Sequence, residues 1–256
     1  MKIICFIATV CFLMVSLFFS CTANKNVEER KAVAEASRTL GEAYLRDGNF
    51  RAALKEFQKA EPMAPDDYYL QDDLGLAYLY LGQPDLAIAH FKKALALNGK
   101  YGPAHNNLGN AFAQKGEWDK AIEQYKIVIS DLLYGTPEYP LSNLGKMYYQ
   151  KKEYQLSEQY YLRALKIRAD FYYALDGLAK TYLAMGRDSE AVSYFEKAVQ
   201  AAPESAQAHF DLAKAYSIKG DFRKAYAAYL RVVQLDPNSS LADQALQAAQ
   251  RIKPLL

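Results

Sequence analysis

The sequence predicts an all-α protein, a right-handed superhelical solenoid of six helical hairpins closed at its C-terminal end by one further helix. Three observations predict it. Leucine recurs at Leu40, Leu74, Leu108, Leu144, Leu178 and Leu212, in steps of 34, 34, 36, 34 and 34 residues. Each leucine is followed by Gly or Ala and, four residues on, by Tyr or Phe. Eight residues beyond the leucine stand Gly48, Gly82, Gly116, Gly186 and Gly220, with Lys152 in the fourth copy. Self-similarity at this period marks stacked two-helix units, each burying its apolar face against its neighbours.

Beginning each unit six residues before its leucine gives repeats at 34–67, 68–101, 102–137, 138–171, 172–205 and 206–239. In the first helix of each, leucine and the aromatic four residues later share a face, so Tyr44, Tyr78, Tyr148, Tyr182 and Tyr216 are expected in the core. The small residue after the leucine admits the second helix closely. The glycine ends the first helix in a left-handed turn, and Lys152 in its place predicts a less regular turn. In the second helix a small residue (Ala53, Ala87, Ala121, Ser157, Ala191, Ala225) precedes an aromatic by four positions (Phe57, Phe91, Tyr125, Tyr161, Phe195, Tyr229). Pro65, Pro203 and Pro237 then stop the helix. This pattern resembles the tetratricopeptide repeat over residues 34–239.

The last hairpin needs a cover, and residues 240–256 supply it. Leu241, Ala245, Ala248 and Ile252 form one apolar stripe, Asp243, Gln247 and Arg251 face water, and Pro254 ends the helix.

The N-terminal end has a different chemistry. Lys2 is followed by an apolar run from Ile3 to Phe19, then Ser20 and Cys21. This is similar to bacterial lipoprotein signals, so residues 1–20 read as a signal peptide and Cys21 as the lipidated first residue; an uncleaved apolar anchor is the alternative. Cys5 and Cys11 fall within the signal, and no cysteine follows Cys21. Two or three acyl chains, at about 0.8 kcal/mol per buried methylene, hold a protein on a bilayer where one is marginal. Thr22 in place of Asp after the cysteine points, by analogy with enteric sorting, to the outer membrane. Residues 21–33 read as the lipidated cysteine and a polar tether, of which the ten residues 22–31 reach at most roughly 35 Å when extended.

The period slips once. The surplus two residues fall in 130–145, where Pro137 and Pro140 interrupt and Tyr134 and Tyr139 flank Gly135. Asp131, Leu133, Tyr134, Pro137, Asn143 and Gly145 resemble the junction between the third and fourth repeats in the pilotin lipoproteins of type IV pili (PilF/PilW type), and Asn106, Asn107 and Gly109 resemble that family's third repeat. Leu132 stands where a proline is common there. The resemblance implies a non-enzymatic, lipid-anchored outer-membrane scaffold, facing the periplasm, that binds secretin subunits and promotes their localisation and assembly in type IV pilus biogenesis. A general lipoprotein adaptor docking cell-wall hydrolases or envelope proteases would carry the same repeats and anchor.

In this repeat class the first helix of each hairpin lines the concave surface. Its inward positions hold Tyr69, Leu76, Tyr80, Asn106, Asn110, Lys146, Tyr149, Tyr173, Asp176, Lys180, Phe210 and Lys214. Asn110, Lys146, Lys180 and Lys214 share one repeat position and form a ladder. Aromatics between lysines suit an extended or helical peptide bearing acidic groups.

Other functions find no support. The 31 basic and 29 acidic residues are interspersed, which disfavours nucleic acid. His90, His105 and His209 sit in separate repeats without metal-ligand spacing, and His105 and His209 share a repeat position expected to pack. The glycines mark turns, and no serine lies in a nucleophile elbow. Arg38 and Glu42 occupy the first repeat where a carboxylate clamp would need Lys and Asn. No enzyme, cofactor or metal site is expected.

Overall fold

The structure, a computed structural model, describes residues 28–256. Cys21 and the signal segment lie outside the described residues. Among those described, all regular structure is helical. The helices are α1 (28–46), α2 (Phe50–Ala60), α3 (Tyr68–Tyr80), α4 (Pro84–Leu97), α5 (Gly102–Gln114), α6 (Trp118–Ser130), α7 (Glu138–Gln150), α8 (Tyr154–Ile167), α9 (Tyr172–Ala184), α10 (Asp188–Ala201), α11 (Ala206–Lys219), α12 (Phe222–Leu235) and α13 (Ser240–Ile252), followed by a 3-10 turn, Lys253–Leu255.

The chain divides into two compact units, one ending at Lys115 and the other Gly116–Leu256. A hairpin array has no core spanning its length, so compactness is local. Within each unit consecutive helices pack together, and first helices of successive repeats touch, α3 with α5, α7 with α9, and α11 with the covering helix α13.

The repeat slots do what their chemistry requires. Ala53, Ala87, Ala121, Ser157, Ala191 and Ala225 have no exposed surface, and the aromatics four residues on are buried. A Cβ at Gly41 would fall 2.4 Å from the Phe57 ring and one at Gly75 equally close to Phe91, so the glycine after the leucine is the space into which the second helix's aromatic packs. Ser157 is the polar exception at the alanine slot. Its hydroxyl lies 2.8 Å from the Gly145 carbonyl and 2.9 Å from the Thr181 hydroxyl, which itself donates to Gly177 O. Buried hydroxyls are tolerated because they are bonded.

Several expectations are corrected. Leu40 is 44% exposed while the other five period leucines are buried, because no described helix precedes α1 to cover that face. Tyr148, Tyr182 and Tyr216 are core, but Tyr44 and Tyr78 are half-buried. Tyr78 stacks on His90 at 5.2 Å and its hydroxyl accepts from Gln58 Nε2, so its polar end stays near water. Residues 28–33, assigned to the tether, are helical and extend α1 before the first repeat boundary.

The turn at Lys152 is as regular as those at the glycines. Lys152 takes φ 61°, close to the 72° of Gly48, and Glu153 N–H donates to Tyr148 O at 2.9 Å just as Asn49 N–H donates to Tyr44 O at 2.8 Å. The absence of glycine appears as strain, not as altered geometry. At the junction, Asp131 Oδ1 accepts from Leu133 N–H and Asp131 O from Tyr134 N–H, forming an Asx turn that leaves Leu132 and Leu133 95% and 93% exposed. Pro137 and Pro140 sit at the cap and in the first turn of α7, where a missing N–H is harmless. In α13, Ala242, Ala245 and Ala249 are the most buried, with Leu241, Ala248 and Ile252 at the edge of the same stripe.

Candidate functional site

In the unit ending at Lys115, Tyr69, Leu76 and Tyr80 project from α3 and Asn106 and Asn110 from α5. Tyr69 is tied into an aromatic group, 4.1 Å from Tyr68 and 5.3 Å from Tyr101 between ring centres, with the Arg38 guanidinium 5.0 Å over its ring. Tyr80 stacks on Phe50 at 4.6 Å. Leu76, Asn106 and Asn110 are half-buried.

Beneath these side chains lies a polar layer. Arg38 joins Glu42, Asp67 and Asp73 at 2.8, 3.4 and 3.1 Å. Asn107 Nδ2 donates to both oxygens of Asp72, at 3.1 Å each. Burial pushes the Asp72 carboxyl up to about 7; the Asn107 amide opposes this and the neighbouring Asp73 reinforces it. Asp73 is likewise raised to about 7 by burial, which outweighs the Arg38 charge beside it. This layer is not among the residues expected from the repeat register. Its signal is the polar residue just before the period leucine, Asp73, Asn107, Asn143 and Asp211, interrupted only by Gly177 and, in the first repeat, by the weakly polar Thr39.

In the unit Gly116–Leu256 a cleft of about 400 Å³ is lined by Tyr149, Lys180, Leu183, Ala184, Phe195, Asp211 and Lys214. It brings together three of the groove residues expected from the repeat register, Tyr149 of α7, Lys180 of α9 and Lys214 of α11. Lys180 Nζ lies 2.8 Å from Asp176 and 3.1 Å from Asp211. Burial alone would push the Lys180 ammonium down, but the two carboxylates outweigh it and hold it above its usual value. Burial pushes the Asp176 carboxyl up, with Lys180 opposing; its Oδ2 holds the lysine while its buried Oδ1 has no partner. Asp211 also accepts from Gln207 Nε2 at 3.0 Å.

The remaining groove residues lie on the same three helices, α7, α9 and α11. Lys146 and Lys214 are exposed, and among the described residues neither makes an ion pair. Lys214 Nζ lies 5.9 Å from the Phe210 ring centre, and Phe210 meets Tyr229 edge-on. Tyr173 is exposed beside Phe171 and Tyr172. The lysine ladder therefore places three rungs in one unit and Asn110 in the other, and its middle lysine is neutralised.

His105 Nε2 and His209 Nε2 each meet a carbonyl of the preceding loop, Gly99 O at 3.2 Å and Pro203 O at 2.9 Å, a packing role repeated at one repeat position. Among the described residues no group of three or more His, Cys, Asp or Glu is placed to hold a metal, and no helix is long and apolar enough to cross a membrane.

Helical hairpins on a fixed period, with a cleft formed by their first helices, define a repeat scaffold. The chain belongs to the tetratricopeptide repeat family: one family profile matches residues 25–68, 73–131 and 177–240, and a second matches 138–204. Such domains generally mediate protein–protein interaction. The fold is similar to the crystal structure of PilW, a widely conserved type IV pilus biogenesis factor, with TM-score 0.76 and 22% identity over 84% of this chain and 98% of that one. It is similar to pilF of Pseudomonas aeruginosa, with TM-score 0.71 and 22% identity over 86% and 99% of the two chains. It also resembles the Cut9–Hcn1 assembly of the APC/C, with TM-score 0.74 and 19% identity, covering 90% of this chain but 45% of that one. No curated protein matches the sequence at a significant level.

Proposed function

We propose that this protein is a non-enzymatic scaffold of type IV pilus biogenesis, anchored through Cys21 at the periplasmic face of the outer membrane, that binds secretin subunits and promotes their localisation and assembly. The observation that carries the reading is reciprocal length. The fold match to PilW and to pilF uses nearly the whole of those chains and most of this one, whereas the Cut9–Hcn1 match uses less than half of its counterpart. The lipobox-like segment before Cys21 and the junction at Asp131–Pro137 support the same reading.

The mechanism is tethering. Lipid fixes the repeats at the membrane, and a groove or edge holds a secretin segment, raising its local concentration there. Deleting the gene is expected to remove secretin multimers and twitching, and Cys21→Ser to release the protein from membranes. Normal secretin rings in the deletion strain overturn the secretin role. Co-purification with a cell-wall hydrolase instead of secretin points to the adaptor alternative.

A further inference from the structure

The junction between the third and fourth repeats presents apolar side chains to water without cover. Leu132 and Leu133 are 95% and 93% exposed, and the next most exposed large hydrophobic among the described residues, Tyr173, is 61%. The turn that presents them is fixed. Asp131 caps the end of α6, its Oδ1 accepts from Leu133 N–H at 2.9 Å, and its carbonyl accepts from Tyr134 N–H at 3.2 Å. Tyr139 N–H donates to Thr136 O at 3.3 Å where the loop enters α7. Backbone groups bonded inside a loop cost less to take out of water. Stacked hairpins bring the loops that lead from one repeat to the next to a common end. In this unit that end also has Tyr139, Phe171 and Tyr173, whose ring centres follow one another at 4.9 and 5.5 Å, with the Arg168 guanidinium 5.3 Å over the Tyr139 ring. The turns at the opposite end are charged: Lys151, Lys152 and Glu153 in one, Arg187 and Asp188 in the next.

We propose that Leu132 and Leu133 insert into the lipid bilayer that holds the chain, as a shallow wedge that turns this end of the repeats toward the membrane. This rests on the reading of Cys21 as the membrane anchor. From Cys21 to residue 28 the extended chain reaches at most about 25 Å, so an anchored protein keeps its helices beside the bilayer. Insertion is then intramolecular, and a small apolar gain is enough to favour it. The leucines leave water at the boundary between headgroups and acyl chains, about 5–10 Å deep. Tyr139 and Tyr173 have apolar rings with polar ends and Arg168 is basic, the side-chain types that gather at the headgroup layer. The neighbouring acids are engaged: Glu138 is held by Arg168 at 3.4 Å, and Asp131 accepts from the loop backbone. A second copy of the chain suits this tip less well. A stable interface takes about 800 Å² from each partner, of which two projecting leucines supply a fraction, whereas a bilayer needs no matching shape.

The test uses the full chain reconstituted into vesicles of phosphatidylethanolamine and phosphatidylglycerol, with and without lipid carrying a nitroxide on its acyl chain. A thiol-reactive fluorophore is attached through Gly135→Cys, where an added side chain meets no atom within 4 Å. A second sample carries it through Lys219→Cys, exposed at the charged end, and the native chain treated with the same reagent gives the background. The nitroxide lipid quenches the probe at 135 and spares the one at 219. Leu132→Ser combined with Leu133→Ser lowers the quenching at 135 to the level at 219. Both leucines are exposed, so the helices persist, which circular dichroism verifies; if the double variant loses helicity, either single change to Ser gives a partial loss of quenching. Equal quenching at the two positions, or quenching at 135 that survives the leucine changes, overturns the proposal. Flotation of the vesicles reports the anchor separately. A chain that floats with its probe at 135 still in water refutes the wedge alone, and a chain that does not float refutes the anchor and the wedge with it. The vesicles contain no secretin, so the pilus reading is reported independently by the deletion strain.

Discussion

The Lys180 ammonium of α9 lies 3.1 Å from the Asp211 carboxylate of α11 and so joins the fifth repeat to the sixth at the floor of the cleft. Lys180 and Lys214 hold the same repeat position, yet one is a structural cation and the other an open one. Lys180→Ala leaves Asp211 and Asp176 without their ammonium. Because the lysine is partly open to water the cost is about 1–3 kcal/mol, whereas Lys214→Ala stays within about 0.5 kcal/mol. Urea unfolding of the two variants checks the ordering, and equal losses would remove the structural role of Lys180.

The Tyr161 ring packs between two glycines. A Cβ at Gly177 would fall 2.2 Å from Tyr161 Cζ, and one at Gly145 2.8 Å from the same ring. Gly177→Ala is therefore expected to cost about 1–3 kcal/mol by overpacking. The cost shrinks in a Tyr161→Leu background because the two positions compete for one volume. Additive losses in the double-mutant cycle would contradict this.

Lys152 adopts a left-handed backbone without glycine's freedom, while Gly48, Gly82, Gly116, Gly186 and Gly220 serve the equivalent turns. Lys152→Gly relieves strain of about 1 kcal/mol, partly offset by added unfolded-chain entropy. A small rise in melting temperature is expected, and a fall would show that the Lys152 side chain contributes more than its backbone costs.

Asp72 gives stability a pH dependence. Its folded pKa, pushed up to about 7, exceeds the unfolded value, so the folded state binds more protons. The contribution is full below about pH 4 and is lost as pH rises through about 7. Asp73, also near 7, adds in the same direction, with Arg38, Asp67 and Glu42 as the charges around it. Asp72→Asn keeps an oxygen for Asn107 and removes the ionisation. Its melting temperature relative to the native chain should rise between pH 4.5 and 8, by an amount equivalent to about 1–3 kcal/mol. A constant offset across that range would place the titration elsewhere.

The fold was legible because the 34-residue period names every core slot at once, and a repeat is its own comparison. What the period could not convey is how a row ends or which side chains meet. Leu40 obeys the pattern but is exposed because no described helix precedes its own, and Lys152 breaks the pattern yet keeps the turn. The ladder of Lys146, Lys180 and Lys214 was legible as a set of positions. That Lys180 is held by Asp176 and Asp211 was not, since Asp176 stands before it on its own helix and Asp211 on the next repeat's, and only packing brings both to one ammonium. The same holds for Asp72 and Asn107, which sit at adjacent repeat positions and meet only once α3 and α5 are stacked.

The central claim, that these repeats hold secretin, is tested most directly by mixing the purified full chain in detergent with purified secretin subunits and following size-exclusion elution. The account predicts co-elution as a complex, weakened when Lys146 and Lys214 are both changed to Glu. Separate elution of the two proteins at concentrations well above micromolar would contradict it.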